Sequence, residues 1–468
     1  MSLSIGPDLP DLSRVAVLGL ARSGLAAVDA LLARGVEVAA SDLRGPSEVD
    51  LPPRDGLTPF LGGHPEALLD GVQLVVLSPG IPRTAPIVDA ALARAIPVVS
   101  EIELASRLLP GIVVGITGTN GKSTTTALAA ALLNDAGVQA VACGNLGTPW
   151  IAAAASPAGS ADTPPAPTRV WVVELSSFQL ETVRRFAPDV AIHLNLTPDH
   201  LDRYRSLDDY GAAKARIFEN QREAQLAVLN ADDPLVARIS TRARRFEFTR
   251  RRAARLGAWL DGEDVVADVT GSGPLRVLRR DEISLPGAHN LENALAALAA
   301  VLPLGVSPDS AAKTLRAFKG LRHRTELVRI RRGVSWYNDS KGTNIDATLK
   351  SLEGFPDGRV FLILGGKDKG DDFGRLLPLV KQKARRILAI GKAAPMVETA
   401  LAAMVPTSRA ETLEAAVAEA VRDAVAGDVV LLSPACASYD QFRDFEHRGE
   451  AFEALVRALS GSEETETR

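Results

Sequence analysis

Val113-Val114-Gly115-Ile116-Thr117-Gly118-Thr119-Asn120-Gly121-Lys122-Ser123-Thr124-Thr125-Thr126 decides how the chain is read. A β-branched, apolar run ends in a Gly-rich loop, the loop closes on Gly-Lys-Ser, and an Ala/Leu-rich helix follows to about residue 134. A strand that turns tightly into a helix N-terminus exposes backbone N–H groups, which suits a nucleotide phosphate. In that geometry Lys122 reaches the outer phosphates and the Ser123 hydroxyl sits on Mg²⁺. Ile116 stands where the common G-x-x-x-x-G-K-[ST] pattern has its first glycine, and Gly118 supplies the early glycine instead, so the loop is a variant. The competing reading is a Gly-rich strand–helix turn with an incidental lysine.

Upstream, 14–19 reads as a buried strand, and Gly19-Leu20-Ala21-Arg22-Ser23-Gly24 opens a helix to 34. A second strand over 36–40 ends at Ser41-Asp42-Leu43-Arg44. This is a βαβ unit with an acidic residue after its second strand, close to a dinucleotide fingerprint but with Ala21 for the middle glycine. A strand over 74–77 ends in Ser78-Pro79-Gly80. Strand-end loops of this kind line the edge of a parallel sheet where ligands bind.

Downstream, the Pro/Ala/Ser-rich stretch 152–168 reads as a flexible surface insertion. A strand over 169–173 ends at Glu174-Leu175-Ser176-Ser177-Phe178-Gln179, and one over 190–194 ends at Asn195-Leu196-Thr197-Pro198-Asp199-His200-Leu201-Asp202. Both ends fall on the rim that holds the phosphate loop. Glu174 is a Mg²⁺ candidate or a helix N-terminal carboxylate. His200 is a metal candidate, although imidazole is a less usual ligand for so hard a cation, or a loop histidine bonded to backbone. On a helix over 210–220, Lys214 shares one face with Tyr210, Ile217 and Phe218, which should be the buried face. A lysine there usually snorkels.

Residues 245–285 read as strands over 245–249, 264–269 and 275–279. Pro286-Gly287-Ala288-His289-Asn290 opens a helix with Asn293 one turn in, and Lys319-Gly320 reads as a linker. Beyond it strand and helix alternate, as in a parallel α/β unit, with strands over 334–337, 360–364, 386–390 and 429–432. Lys341 and Lys369 fall at strand ends, as solvated lysines or as an anion site. The acidic tail 461–468 reads as disordered.

At 468 residues, 46% hydrophobic and 24% charged, the chain is long enough for two to four domains of ordinary globular balance. A net charge of −4 gives no reason to expect nucleic acid. Its two cysteines, Cys143 and Cys436, form neither metal spacing nor a disulfide framework. No signal peptide is evident in residues 1–14, and the longest apolar run, 294–306, is too short for a membrane span. The expectation is a soluble, cytoplasmic protein.

Thr117-Gly118-Thr119-Asn120-Gly121-Lys122-Ser123-Thr124 resembles the ATP loop of the Mur ligase and folylpolyglutamate synthetase superfamily, which also lacks the first glycine. The Glu174–Gln179 segment and Asp199-His200-Leu201-Asp202-Arg203-Tyr204 resemble its metal-binding segments. Asn290, Asn293 and His323-Arg324 resemble its adenine and phosphate contacts. Asn338-Asp339-Ser340-Lys341-Gly342-Thr343-Asn344 and Ser433-Pro434-Ala435-Cys436-Ala437-Ser438-Tyr439-Asp440-Gln441-Phe442 resemble the branch that adds D-glutamate. Gly342 stands where alanine is usual, a departure expected to be neutral.

The resemblance implies an α/β fold in three domains. They are a Rossmann-like UDP-substrate domain (1–105), a central P-loop ATPase-type parallel sheet with a small β-rich part (106–320), and a Rossmann-like amino-acid domain (321–468), closing on substrate. It implies ATP and Mg²⁺, with UDP-N-acetylmuramoyl-L-alanine and D-glutamate as substrates, no nucleic acid or membrane partner, and a monomer. Catalysis is expected from Lys122, Glu174, His200, Lys214, Lys341 and Lys369. ATP falls to Gly118, Thr119, Asn120, Gly121, Lys122, Ser123, Thr124, Asn290, Asn293, Arg324 and Asp339. The UDP-substrate falls to Asp42, Arg44, Ser78, Pro79, Gly80, Asn145, Ser176 and Gln179. D-glutamate falls to His200, Thr343, Lys369, Ser438, Tyr439 and Phe445. The metal falls to Ser123, Glu174, His200 and Lys214, the last as a carbamate, because Lys214 occupies the position of the family's carbamylated lysine.

The rival readings are another Mur or folylpolyglutamate-type amide ligase using a different amino acid, a nicotinamide-dependent oxidoreductase suggested by Gly19–Gly24, and a non-catalytic nucleotide-binding protein. A folylpolyglutamate synthetase lacks the first domain, and the diaminopimelate-adding ligase carries an Asp-Asn-Pro-Arg motif absent here. The oxidoreductase leaves the phosphate loop unexplained. A non-catalytic protein does not need Glu174, His200 and Lys214 together.

Overall fold

The computed structural model describes residues 3–9, 11–145, 147–154, 169–200, 203–285, 287–368, 370 and 372–460. Most of the expected insertion (155–168) and the acidic tail lie outside the described residues. The chain forms two compact units, one of residues 1–283 with 292–318, the other of 284–291 with 319–468.

The first unit holds two sheets. Short apolar runs such as Val15-Ala16-Val17-Leu18 are buried on both faces, which a parallel sheet covered by helices requires. They build β1 (Arg14–Leu18), β2 (Glu37–Asp42), β3 (Leu57–Leu61), β4 (Leu74–Leu77) and β5 (Val98–Ser100), all parallel, in the order β3-β2-β1-β4-β5. The Arg22–Leu32 helix follows β1 at close range: a Cβ on Gly24 would stand 1.8 Å from the Gly19 carbonyl oxygen. β2 runs two residues further than its apolar pattern, so Asp42 is the last residue of the strand.

The second sheet contains β6 (Ile112–Thr117), β7 (Ala140–Gly144), β8 (Val170–Glu174), β9 (Val190–His193), β10 (Leu226–Asn230), β11 (Arg244–Thr249), β12 (Gly257–Asp261), β13 (Asp264–Asp268) and β14 (Leu275–Arg279). The order is β14-β13-β12-β11-β10-β9-β6-β8-β7, with the β12–β13 and β13–β14 pairings antiparallel and the rest parallel. β6 lies between β8 and β9, so the phosphate loop, Glu174 and the segment after His193 leave the sheet side by side. The helix carrying Lys214 spans Leu207–Ala215 rather than 210–220. Ser206 caps it by accepting from Asp209 N, and a tightened turn, Arg216–Phe218, ends it.

The two sheets are tied at Glu103. This carboxylate, on the Glu101–Leu108 helix, accepts from the backbone N–H groups of Arg184, Arg185 and Phe186 at 2.8, 3.1 and 2.9 Å, and from Arg107 Nε at 2.7 Å. Arg107 in turn holds Asp8 in a two-point pair, and its guanidinium draws the Asp8 carboxyl down to about 2.

The second unit has one sheet: β15 (Glu326–Arg331), β16 (Val334–Asn338), β17 (Val360–Gly365), β18 (Ala384–Ile390), β19 (Thr407–Glu411) and β20 (Val429–Leu432), in the order β15-β16-β20-β17-β18-β19. All neighbours are parallel except the β15–β16 hairpin. The fold is α/β throughout. Among the described residues no helix is long and apolar enough to cross a membrane.

Candidate active site at the strand ends

The phosphate loop is held by its neighbours. Gly121 adopts φ +85°, and a Cβ there would lie 2.3 Å from Asn293 Oδ1, so only glycine fits. The Asn195 side chain, just past β9, accepts from Asn120 N at 2.8 Å and donates to the Asn120 carbonyl at 3.1 Å. Thr119 N donates to the Asn195 carbonyl at 2.9 Å. Lys122 Nζ folds back to the carbonyls of Gly118 (2.8 Å) and Thr119 (2.7 Å), which keeps the ammonium over the loop. Ser123 and Thr124 are buried in the first turn of the Lys122–Asp135 helix. Asn293, in the Ala288–Val301 helix, accepts from Thr125 Oγ1 at 3.2 Å. Asn290 lies three residues earlier in that helix, with the division between units falling between them.

Lys214 does not snorkel. It is 1% exposed, its Nζ donates to the same Gly118 carbonyl at 2.8 Å, and it lies 4.5 Å from the centre of the Tyr210 ring. Burial, and then the charge of Lys122, hold its pKa well below the ordinary lysine range. Asp199 and Glu174 act the other way. His193, at the end of β9, is fully buried, and neither ring nitrogen has a hydrogen-bond partner among the described residues. Burial and the two lysine charges push its pKa to about 3, so the imidazole is neutral.

Glu174 is 2% exposed at the end of β8, and Asn145 Nδ2 donates to its Oε1 at 2.9 Å. His200 stands apart in a more open setting. Its side chain is 42% exposed, its backbone is left-handed (φ +54°), its Nε2 lies 3.7 Å from Asp199, and its ring meets Phe178 edge-on at 4.8 Å. Among the described residues no three His, Cys, Asp or Glu side chains converge as a metal cage.

In the first sheet, Asp42 is engaged from both sides. Its Oδ2 accepts from Leu20 N at 2.7 Å in the Gly19–Gly24 turn, and Arg44 grips both oxygens at 3.0 and 2.9 Å. The Arg44 guanidinium is the main reason that the Asp42 carboxyl lies far below the usual carboxylate range. Ser78 Oγ lies 3.2 Å from Ser23 Oγ, and the Pro79 carbonyl accepts from Arg203 at 3.1 Å. Gly80 follows in the same loop. Ser176 and Gln179 form a capping box at the start of the Ser177–Leu180 helix.

In the second unit, Asp339 is buried and pushed up to about 6, chiefly by desolvation. Ser433 Oγ donates to it at 2.7 Å, Thr325 N donates at 3.1 Å, and the Arg324 charge opposes the desolvation. A Cβ at Gly342 would stand 2.7 Å from Asp339 Oδ2 and 2.8 Å from Ser433 Oγ. Lys341 Nζ lies 5.2 Å from the centre of the Phe445 ring. Thr343 N donates to the Lys341 carbonyl at 2.8 Å, the Ser438 carbonyl caps the turn to Phe442, and Tyr439 is 68% exposed. Lys369 lies outside the described residues.

Sequence reasoning passed over Asn195, His193, Arg203 and Glu101. The first three sit in or beside segments already singled out, but nothing in the residue types separates them from their neighbours. Glu101 reads as an ordinary helix N-terminal carboxylate until burial is known.

Three family descriptions match in order: "Mur ligase MurD-like, N-terminal domain" over residues 13–100, "Mur ligase middle domain" over 116–301, and "Mur ligase, glutamate ligase domain" over 323–436. A relative named UDP-N-acetylmuramoylalanine–D-glutamate ligase from Koribacter versatilis is 43% identical over 457 residues, 96% of this chain and 98% of that one. This chain belongs to the Mur ligase family. A second Mur ligase of the same name, from Pelotomaculum thermopropionicum, is 44% identical over 454 residues, 95% of this chain and 98% of that one. Solved Mur ligases share the fold. MurF ligase from Thermotoga maritima in complex with ADP is 18% identical with a TM-score of 0.60, covering 95% of each chain. A pseudomurein peptide ligase type C from Methanothermus fervidus is also 18% identical, with a TM-score of 0.61 over 96% of this chain and 100% of that one.

Proposed function

We propose that this chain joins D-glutamate to UDP-N-acetylmuramoyl-L-alanine with cleavage of ATP to ADP and phosphate, as a monomer of cytoplasmic peptidoglycan precursor synthesis. The observation that carries the reading is identity of 43–44% over 95–96% of the chain to ligases of that name. The convergence of Lys122, Glu174 and Lys214 at one sheet edge supports it from the chemistry.

The γ-phosphoryl group passes to the carboxylate of the muramoyl-alanine, giving an acyl phosphate and ADP. The amine of D-glutamate attacks the acyl carbon, a proton leaves the nitrogen, and the tetrahedral adduct expels phosphate to leave the amide. Most of the acceleration in such a sequence comes from positioning and charge neutralisation. Lys122 supplies a cation at the mouth of the phosphate loop. Gly118, Thr119, Asn120, Gly121, Ser123 and Thr124 hold the phosphates, with Asn290, Asn293, Arg324 and Asp339 as further nucleotide contacts.

Glu174 and Ser123 fit Mg²⁺, because a buried carboxylate oriented by Asn145 and a hydroxyl at a helix start are hard oxygen donors. When bound, that ion neutralises charge on the phosphates. His200 belongs to the same rim, as ligand or as D-glutamate contact. Lys214 acts there as a carbamate: burial draws its pKa well below the ordinary lysine range, which favours the nucleophilic neutral amine, and addition of CO₂ with loss of one proton converts it into an oxygen donor.

Residues 1–105 serve the UDP-substrate through Asp42, Arg44 and Ser78-Pro79-Gly80, with Asn145, Ser176 and Gln179 from the central domain (106–320). Residues 321–468 serve D-glutamate through Thr343, Lys369, Ser438, Tyr439 and Phe445, with Lys341 and Lys369 as catalytic cations. Mass analysis of a reaction containing all three substrates tests the proposal. It predicts one added glutamyl residue on the UDP-substrate, and a product absent from the complete mixture overturns it.

A further inference from the structure

Glu101 opens the Glu101–Leu108 helix of the UDP-substrate domain and is wholly buried. Its Oε1 accepts from Gln179 Nε2 at 2.8 Å, while Oε2 is buried with no hydrogen-bond partner among the described residues. Burial is the main reason its pKa rises to about 7, which offsets the bond from Gln179. Gln179 uses its other amide atom as well: its Oε1 accepts from Ser176 N at 2.9 Å and from Ser176 Oγ at 3.1 Å. Ser176 Oγ in turn receives Gln179 N at 3.3 Å. The Gln179 amide is therefore fixed in one orientation, since a flipped amide would turn its NH₂ towards the Ser176 N–H. The remaining NH₂ is anchored by a side chain from another domain. Without Glu101, that amide has a buried donor and no fixed partner.

We propose that Glu101 is a positioning residue of the ligase reaction: by fixing the Gln179 amide it sets Ser176 and Gln179 in the arrangement that meets the UDP-substrate. The carboxyl touches neither substrate nor nucleotide and acts through Gln179 alone. The inference rests on the reading that Ser176 and Gln179 contact the UDP-substrate.

Steady-state kinetics of Glu101→Ala, Glu101→Gln, Gln179→Ala and the Glu101→Ala/Gln179→Ala pair test it. The expected result is a rise of about tenfold in KM for UDP-N-acetylmuramoyl-L-alanine in Glu101→Ala, with KM for ATP changed by less than about twofold. Glu101→Gln, which keeps the carbonyl acceptor and a neutral side chain, recovers most of that loss. The double variant is no worse than Gln179→Ala alone, because the two groups act as one unit. Equal damage to both KM values, or additive effects in the double variant, overturns the proposal. If Gln179→Ala raises KM for the UDP-substrate and Glu101→Ala does not, the inference fails while the reading of Gln179 stands. If Gln179→Ala itself leaves that KM unchanged, the reading fails and takes the inference with it.

Discussion

The Gly118 carbonyl accepts Lys214 Nζ at 2.8 Å while it also accepts Lys122 Nζ at 2.8 Å. Two lysines thus share one oxygen at the edge of a phosphate loop: Lys214 is buried, and burial draws its pKa well below the ordinary lysine range, while Lys122 is only half-buried. That asymmetry separates their roles. Under the proposed function Lys122 is the cation at the phosphates and Lys214 the buried amine that takes up CO₂.

Lys214→Ala is therefore expected to be inactive and to recover partly in a buffer containing a short-chain carboxylate, which replaces the missing carbamate. Intact mass of the unsubstituted chain in bicarbonate should show the added CO₂. An active alanine variant, or active enzyme carrying only free amine, contradicts the carbamate.

Lys122→Ala is expected to lower turnover more than about a hundredfold, the usual cost of removing one positioned donor to developing charge. Near-normal kcat in this variant would mean that the Gly-rich turn is structural.

Asp42→Ala and Arg44→Ala should weaken the UDP-substrate and spare ATP. Asp42 also holds Leu20 N of the Gly19–Gly24 turn, so its loss should be the more damaging of the two. Titration with each ligand separates the effects, and a selective change in ATP affinity contradicts the assignment of the first domain.

Glu101 gives a pH dependence with a definite sign. Its pKa is raised from 4.5 to about 7 by folding, so the folded chain binds the extra proton between those values. Stability is therefore fullest below about pH 4.5 and is lost as pH rises through about 7, by roughly 3 kcal/mol from this group. Glu101→Gln should remove that contribution, so denaturant midpoints at pH 5 and pH 8 should lie closer together than in the unsubstituted chain. Equal spacing in both would show that Glu101 is ionised at no such cost.

Glu103→Ala should be strongly destabilising, by about 3–5 kcal/mol, because it leaves three backbone N–H groups without their acceptor and Arg107 with Asp8 alone. Chemical denaturation measures this directly, and a loss below about 1 kcal/mol would show that water replaces the carboxylate.

The three-sheet α/β architecture could be read because its central strands are short apolar runs ending in Gly, Ser, Asp or Asn, as in Val360–Gly365 and Val429–Leu432. The strands that escaped notice are mostly at sheet margins. β3 carries Pro59 and is half exposed, β15 alternates with arginines, and β19 is Thr-Ser-Arg-Ala-Glu, so none shows an apolar pattern. β10, Leu-Ala-Val-Leu-Asn, is fully buried and did carry the signal. Within the site, the burial of Lys214 followed from its spacing to Tyr210, Ile217 and Phe218. Its shared carbonyl with Lys122, 92 positions away by number, did not, because it depends on which strands lie side by side. The same holds for Glu101 and Gln179, which lie on helices that follow strands of different sheets.

The most direct measurement is phosphate release with ATP, Mg²⁺ and UDP-N-acetylmuramoyl-L-alanine while amino acids are offered one at a time. Release is predicted to require D-glutamate and the UDP-substrate together. Equal turnover with L-lysine, diaminopimelate or L-alanine would contradict the account.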